Sequence, residues 1–176
     1  MTKQEYAKFT GGIVKATRGL IARTPKDKLA WRPDASFLTL GAVLHHVATA
    51  VGTSLRDVMN DAWEFRPPGG AGAGLPPDAG GGEGMPAADA FPTVKNVDEA
   101  LTMLDADWRL FEERFARVNE RTLNEQVCRI PWMAPGTTLK EYLLLTVEHL
   151  SNHRMQLFMY LRLLGVKVGT GERYGG

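Results

Sequence analysis

Apolar residues recur every three or four positions in four stretches of the sequence, which is the spacing of one buried face of an α-helix. This spacing predicts four helices, over residues 3–21, 36–63, 96–118 and 137–164. No stretch shows a convincing strand pattern, because the strand-like segment at 126–130 is too short to form a sheet. We therefore expect an all-α fold, an antiparallel four-helix bundle with long connections.

The predicted helix ends carry residues of the types that cap helices. Ser36 or Thr39 suits the N-cap of the second helix. The third and fourth helices each begin with a pair in which an acidic residue follows the cap by three positions: Asn96 with Glu99, and Thr138 with Glu141. Gly165 suits the position after the fourth helix. We expect the glycine-bearing tail, residues 169–176, to fray.

Glycine and proline dominate residues 66–92, so little of this segment can bury an apolar face. We interpret it as a flexible connecting loop, with a lid over one end of the bundle as the alternative. Three aromatic residues near predicted helix ends, Trp63, Phe65 and Trp132, form a patch that suits dimerisation. The whole chain, residues 1–176, has the length of a single domain.

The composition excludes several classes of function. The 21 Lys and Arg residues balance 20 Asp and Glu residues to a net charge of +1, and no basic stripe predicts nucleic-acid binding. No apolar run is long enough for a signal peptide or a membrane span, so we expect a cytoplasmic protein without a membrane partner. The single cysteine, Cys128, cannot form an intrachain disulfide and suits a small buried position.

The four histidines lie only in the predicted second and fourth helices: His45, His46, His149 and His153. His149 and His153 are four residues apart, so both side chains leave the same face of the fourth helix. A polar line runs along that face through Tyr142, Thr146, His149, His153, Gln156 and Tyr160. A solvent-facing line would normally carry Lys, Glu or Arg, and this line carries none. We therefore interpret it as the wall of a wet pocket.

A third ligand from the second helix would complete a metal site. His45 and His46 both have small neighbours, so spacing alone does not choose between them. Three neutral imidazoles suit Zn²⁺, Ni²⁺, Fe²⁺ or Cu²⁺ and leave coordination positions open for a substrate. Glu148 points about 100° away from His149 around the helix and is expected at the surface or in a supporting position.

Two stretches carry a family likeness. Residues 27–50, DKLAWRPDASFLTLGAVLHHVATA, contain a W-R-P step and place Gly41 five positions before His46, and residues 148–157 read EHLSNHRMQL. They resemble the connector, the G-x-x-x-x-H helix and the E-H-x-x-x-H-R-G-Q signature of the DinB/YfiT-like superfamily of metal-dependent bundles. The resemblance implies His46, His149 and His153 as the metal ligands. This sequence departs from the pattern of that superfamily in two places. Met155 stands where the signature has glycine, and the 66–92 segment is longer than we expect for the superfamily.

The resemblance also implies what the site does. Similar proteins bind nickel, zinc or other divalent ions, often form dimers, and include thiol-dependent S-transferases, maleylpyruvate-isomerase-type enzymes and amide hydrolases. We therefore expect one divalent transition metal, Zn or Ni before others, and a homodimer acting on a small-molecule substrate. The first hypothesis is a transferase that activates a low-molecular-weight thiol. The alternatives are a hydrolase using metal-bound hydroxide and a non-enzymatic metal-binding or stress-response module. The candidates for substrate contacts are Tyr142, Arg154, Gln156 and Tyr160; no residue is assigned a catalytic role.

Overall fold

The computed structural model describes residues 1–60, 88–130 and 135–174. Within these ranges the chain forms seven α-helices and no strand, which confirms the all-α prediction. The helices are α1 (Lys3–Ile21), α2 (Leu40–Ala48), α3 (Gly52–Asn60), α4 (Val97–Ala116), α5 (Glu120–Glu125), α6 (Leu139–Leu163) and α7 (Thr170–Tyr174), with one 3₁₀ turn at Ala88–Ala90. Among the described residues no helix combines the length and apolar character that crossing a membrane requires.

The predicted caps are confirmed. Thr39, rather than Ser36, is the N-cap of α2, and its side chain accepts a hydrogen bond from the backbone N–H of Ala42. Asn96 caps α4, and Thr138 forms a full capping box with Glu141 at the start of α6. Gly165 has φ +77°, the left-handed conformation that commonly follows a helix.

The relative directions of neighbouring helices follow from hydrogen-bonded contacts, because each pair of neighbouring helices has two such contacts at different points along its length. These pairs are Lys3 with Ala116 and Arg18 with Asp105 for α1 and α4, Thr53 with Asp107 and Asn60 with Arg114 for α3 and α4, and Leu38 with Tyr160 and His46 with His149 for α2 and α6. Helix α4 is thus antiparallel to α1 and parallel to α3, and α2 is antiparallel to α6. Because α3 and α4 run in the same direction, Asn60, which lies beside Arg114, is about 25 Å along α4 from the start of that helix at Val97.

One hydrophobic core lies between these helices. Fully buried apolar side chains come from each of them, including Leu20 on α1, Leu44 on α2, Leu104 on α4 and Leu143 on α6. An aromatic cluster closes one end of this core, where the ring of Tyr6 packs on the stacked rings of Phe111 and Phe115. The apolar stripes predicted from the sequence therefore face inward, as a bundle requires.

The predicted second helix is broken, and this expectation was wrong. Helix α2 ends at Ala48, the C-cap Thr49 leaves the helical conformation with φ −126° and ψ 17°, and α3 begins at Gly52. The carboxylate of Asp107, on α4, causes the break because it accepts hydrogen bonds from the backbone N–H groups of Val51, Gly52 and Thr53 at 2.7–3.0 Å. An acceptor at the start of a helix satisfies donors that the helix cannot pair itself.

The C-terminal tail and the strand-like segment at 126–130 can also be compared with their predictions. The tail does not fray over its whole length: residues 170–174 form α7, and Glu172 pairs with Arg23 at 3.5 Å. The strand-like segment makes only an isolated bridge between Val127 and Thr138. Two predicted features lie outside the described residues: the patch of Trp63, Phe65 and Trp132, and the part of the 66–92 loop up to residue 87.

Candidate metal centre

Helices α2 and α6 bring three imidazoles together near the middle of the bundle. The Nε2 atoms of His46 and His149 are 2.7 Å apart, and the ring centroids of His46 and His153 are 4.3 Å apart. One ligand nitrogen from each of His46, His149 and His153 lies within 4.8 Å of the other two. The three residues that the resemblance assigned to the metal are therefore the three that the fold brings together.

Local packing on α2 fixes the position of His46. The backbone N–H of Gly41 donates to the carbonyl of Leu29 at 2.8 Å, which holds the connector against the first turn of the helix. A Cβ atom at Gly41 would lie 3.2 Å from the Leu29 carbonyl oxygen and closer still to the Thr93 hydroxyl. Glycine at this position therefore allows α2 to approach the connector and residues 93–94, and His46 follows five residues later.

The protein environment keeps the three histidines neutral. The pKa of His46 falls from 6.5 to about 3, first because the ring is buried and then because His153 and His149 lie beside it. Burial, with a smaller effect of His153, lowers the pKa of His149 to about 4. Burial also lowers the pKa of His153, and its hydrogen bond with Gln156 opposes this. Neutral imidazoles have a free lone pair, which is the form that binds a metal.

The structure separates the three clustered histidines from their sequence neighbours. His45 lies outside the cluster, and burial lowers the pKa of its ring, with Glu99 acting in the opposite direction. Glu148 is exposed and is also outside the cluster. Within the part of the chain that the structure describes, the cluster contains three donors and no carboxylate or thiolate.

Two of the proposed substrate contacts instead form a hydrogen-bonded chain behind His153. Its Nδ1 atom lies 2.8 Å from Oε1 of Gln156, whose Nε2 donates to the hydroxyl of Tyr160 at 3.2 Å. The Tyr160 hydroxyl donates in turn to the carbonyl of Leu38 at 3.0 Å. Gln156 therefore forms a hydrogen bond with His153, and Tyr160 forms one with the connector at Leu38.

The other two substrate candidates, Tyr142 and Arg154, make contacts outside the histidine cluster. Tyr142 is buried, which raises the pKa of its hydroxyl, and it precedes His149 by about two helical turns. The guanidinium of Arg154 lies 6.0 Å from the ring centroid of Tyr174, at α7. Burial lowers the pKa of Arg154, and Arg173 adds to that effect.

Two aromatic residues at the site were missed in the sequence. The ring of Phe91 meets that of His46 edge to face at 6.3 Å, and the indole of Trp31 meets the ring of Tyr160 edge to face at 5.4 Å. A salt bridge between Arg32 and Asp89, 2.8 Å long, ties the connector to the segment that bears Phe91. Trp31 lies in the W-R-P step, so that motif is the signal that identifies it.

The donor set fits a divalent transition metal. Imidazole nitrogens suit Zn²⁺, Ni²⁺, Cu²⁺ and Fe²⁺, whereas Mg²⁺ and Ca²⁺ prefer oxygen ligands. Protein atoms surround much of the His149 ring, which lowers its pKa, but the residue still reaches solvent on one side, so one side of the cluster is accessible. Three protein donors with an accessible side are the pattern of a site that also binds water or a substrate.

Comparisons with known proteins agree with this fold. A protein from Bacillus cereus ATCC 10987, described as DinB-like, has a solved structure that is 14% identical, superimposes with a TM-score of 0.71, and is covered over 96% of each chain. A DinB-family structure from Exiguobacterium sibiricum 255-15 is 21% identical, with a TM-score of 0.61 and coverage of 97% of this chain and 96% of that one. None of the curated proteins matches the sequence. The family model described as the DinB superfamily matches residues 14–157, and the chain therefore belongs to that superfamily.

Proposed function

We propose that this protein is a metal-dependent enzyme of the thiol S-transferase type. His46, His149 and His153 would hold one divalent transition metal, Zn or Ni before others, and a low-molecular-weight thiol would be the cosubstrate. When bound, such an ion lowers the pKa of a coordinated thiol and so supplies a thiolate near neutral pH. The observation that carries the proposal is the convergence of three neutral imidazoles beside an accessible side.

The protein's own thiol is a poor nucleophile for this reaction. Cys128 is buried, and burial raises the pKa of its thiol, which lowers the thiolate fraction at neutral pH. It belongs to the segment that bridges to Thr138 rather than to the histidine cluster. A thiol-transfer reaction at this site therefore needs a thiol from solution, and the exposed side of His149 offers it a way in.

The contacts around the histidines suggest how the protein would bind the reactants. His46, His149 and His153 would hold the metal, and the ring of Phe91 meets the ring of His46 edge to face. Trp31 and the connector cover the Tyr160 end of the site. An electrophilic substrate with an apolar portion suits this aromatic surface.

Hydrolysis at the same site is the second candidate. It would need a base to accept a proton from water, and carboxylates usually serve this purpose. Among the described residues no carboxylate joins the cluster, and Glu148 is exposed outside it. A purely structural metal site would need a further protein donor to close the coordination sphere, and the described part of the chain offers none in this cluster.

Cobalt spectroscopy tests the thiol proposal directly. The protein is loaded with Co²⁺ and titrated with glutathione, cysteine and 2-mercaptoethanol, with the His149→Ala variant as negative control and His45→Ala as matched positive control. We expect a near-ultraviolet sulfur-to-cobalt charge-transfer band in the parent and in His45→Ala only. Bound cobalt without such a band for any thiol would contradict the proposal, and ester and amide hydrolysis would then be assayed.

The homodimer remains part of the proposal. Three exposed apolar side chains on α6, Leu145, Met159 and Leu163, fall within about 40° of one line along the helix. Exposed apolar residues on one face are compatible with self-association. Sedimentation velocity of the parent beside the Leu163→Glu variant tests this, since a dimer through this face would dissociate in the variant, whereas a monomeric parent would refute it.

A further inference from the structure

The hydrogen-bonded chain behind His153 has a fixed direction that starts at a backbone carbonyl. The oxygen of Leu38 can only accept hydrogen bonds, so the hydroxyl of Tyr160, 3.0 Å away, must donate its single proton to it. The oxygen of Tyr160 is then left as an acceptor. Its partner on α6, the side-chain amide of Gln156 at 3.2 Å, must therefore present its NH₂ group to Tyr160.

The same logic fixes the protonation of His153. With the NH₂ of Gln156 directed at Tyr160, the amide oxygen faces Nδ1 of His153 at 2.8 Å. An amide oxygen only accepts, so Nδ1 of the neutral imidazole must carry the proton. The lone pair then lies on Nε2, the nitrogen left to face the cluster with His46 and His149.

We propose that Gln156 and Tyr160 are positioning residues that hold His153 in the Nδ1–H tautomer, with Nε2 ready to bind the metal. This inference rests on the proposed metal site and deepens it, since it says how one ligand is prepared before the metal arrives. A carbonyl or amide partner on the second nitrogen also orients the ring and makes the ligand nitrogen more basic. This positioning role is separate from the substrate contact that the sequence suggests for these two residues, which stays a prediction.

The chain also links the site to the connector. Leu38 lies immediately before the N-cap of α2, and the indole of Trp31 packs against the ring of Tyr160 at 5.4 Å. Tyr160 is buried and Gln156 is partly buried, so solvent competes weakly for their hydrogen bonds. The fold therefore holds the acceptor end of the chain in place while α6 supplies the other three members.

The variants separate this role from packing. Gln156→Leu removes the acceptor for His153, whereas Gln156→Glu keeps an acceptor oxygen at the same reach and serves as the conservative rescue. Tyr160→Phe keeps the ring that packs on Trp31 and removes only the hydroxyl that orients the amide. Gln4→Leu and Tyr174→Phe, at exposed positions, are matched controls for each type of change.

The first readout is the tautomer of His153 in metal-free protein, from two-dimensional ¹⁵N–¹H correlation spectra of the imidazoles near neutral pH. We expect Nδ1–H in the parent, in Gln156→Glu and in both controls, and a mixture of tautomers in Gln156→Leu and Tyr160→Phe. An Nε2–H tautomer in the parent, or unchanged Nδ1–H in both Gln156→Leu and Tyr160→Phe, would overturn the inference.

The second readout is zinc affinity, measured by competition with a chromogenic chelator. Loss of a residue that orients a metal-bound histidine typically weakens affinity by about 10- to 100-fold, and we expect this for Gln156→Leu but not for Gln156→Glu. Equal affinity of Gln156→Leu and the parent would contradict the positioning role. A parent that binds no metal would refute the proposed function while leaving the tautomer result readable, so the two failures are distinguishable.

Discussion

Replacing Gly52 by alanine tests how closely α3 packs against α4. A Cβ atom at Gly52 would collide with the carbonyl oxygen of Asp107, and it would lie 2.9 Å from the carbonyl carbon of Asp107 and 3.0 Å from the backbone nitrogen of Phe111. All three atoms belong to the backbone of α4, so no side chain can rotate away. Since ordinary contacts of a Cβ begin at 3.4 Å, relieving the contact with the carbonyl carbon of Asp107 alone would require the two helices to separate by about 0.5 Å.

This separation has a cost that can be estimated. It would stretch the bonds by which the Asp107 carboxylate accepts from Val51, Gly52 and Thr53, now 2.7–3.0 Å long. Overpacking alone costs about 1–3 kcal/mol, and each lost hydrogen bond to a charged group adds about 1.5–3 kcal/mol. Alanine returns about 1 kcal/mol through its helix propensity. With one of the three bonds lost, these contributions sum to about 1.5–5 kcal/mol, and we expect the Gly52→Ala variant to lose unfolding free energy in that range.

Urea denaturation followed by circular dichroism measures the effect on metal-free protein. The Gly12→Ala variant is the matched control, because no atom lies within 4 Å of a Cβ built at that position in α1. It should gain up to about 1 kcal/mol from helix propensity. A Gly52→Ala variant as stable as the parent would refute the close approach of α3 to α4 and the account of the helix break that depends on it.

Two further predictions concern stability. The Thr138→Ala variant loses the acceptor for the backbone N–H of Glu141 and should be destabilised by about 1 kcal/mol in urea denaturation; the same change at exposed Thr102 should stay within about 0.5 kcal/mol, and equal losses at both sites would contradict the capping role. The pKa values of His46 and His149 are about 3 and about 4 in the folded protein, below their usual 6.5. The unfolded chain therefore binds more protons, so the metal-free protein should lose stability as pH falls from 6.5 towards 4. Thermal melts in a chelator across this range should show a shallower pH dependence in His46→Gln than in the parent, and identical pH dependence would contradict the burial of the neutral ring.

The sequence predicts the parts of this fold that local chemistry determines. The limits of α1, α4 and α6 follow from apolar spacing and caps such as Thr138, which involve residues within one turn of each other. The pairing of His149 with His153 follows from helical geometry alone. The choice of His46 over His45 did not, because both have small neighbours, and only the family resemblance distinguished them.

The break between α2 and α3 depends on a partner distant in sequence. Asp107 is 55 residues from Gly52, and nothing in its own neighbourhood shows that its carboxylate caps another helix. The chain offers only a weak signal, since Gly52 and the β-branched Thr49, Val51 and Thr53 are poorer helix formers than their neighbours.

The role of Gln156 was hidden from sequence reasoning in a similar way. Its place on the polar line of α6 marked it as a candidate substrate contact, and the structure shows that its side chain forms a hydrogen bond with His153. Its direction of hydrogen bonding depends on Tyr160 and on the Leu38 carbonyl, 122 residues before Tyr160. The direction of this hydrogen-bonded chain can be derived only from a structure that shows how the connector packs on α6.

Metal content tests the central claim most directly. Untagged protein is analysed by plasma mass spectrometry as purified and after adding zinc or nickel, beside His46→Ala, His149→Ala and His153→Ala, with His45→Ala as the matched control. We expect about one equivalent of a divalent transition metal in the parent and in His45→Ala, and a loss of it in each of the other three. A parent that neither contains nor takes up metal, or an equal loss in His45→Ala, would contradict the three-histidine site.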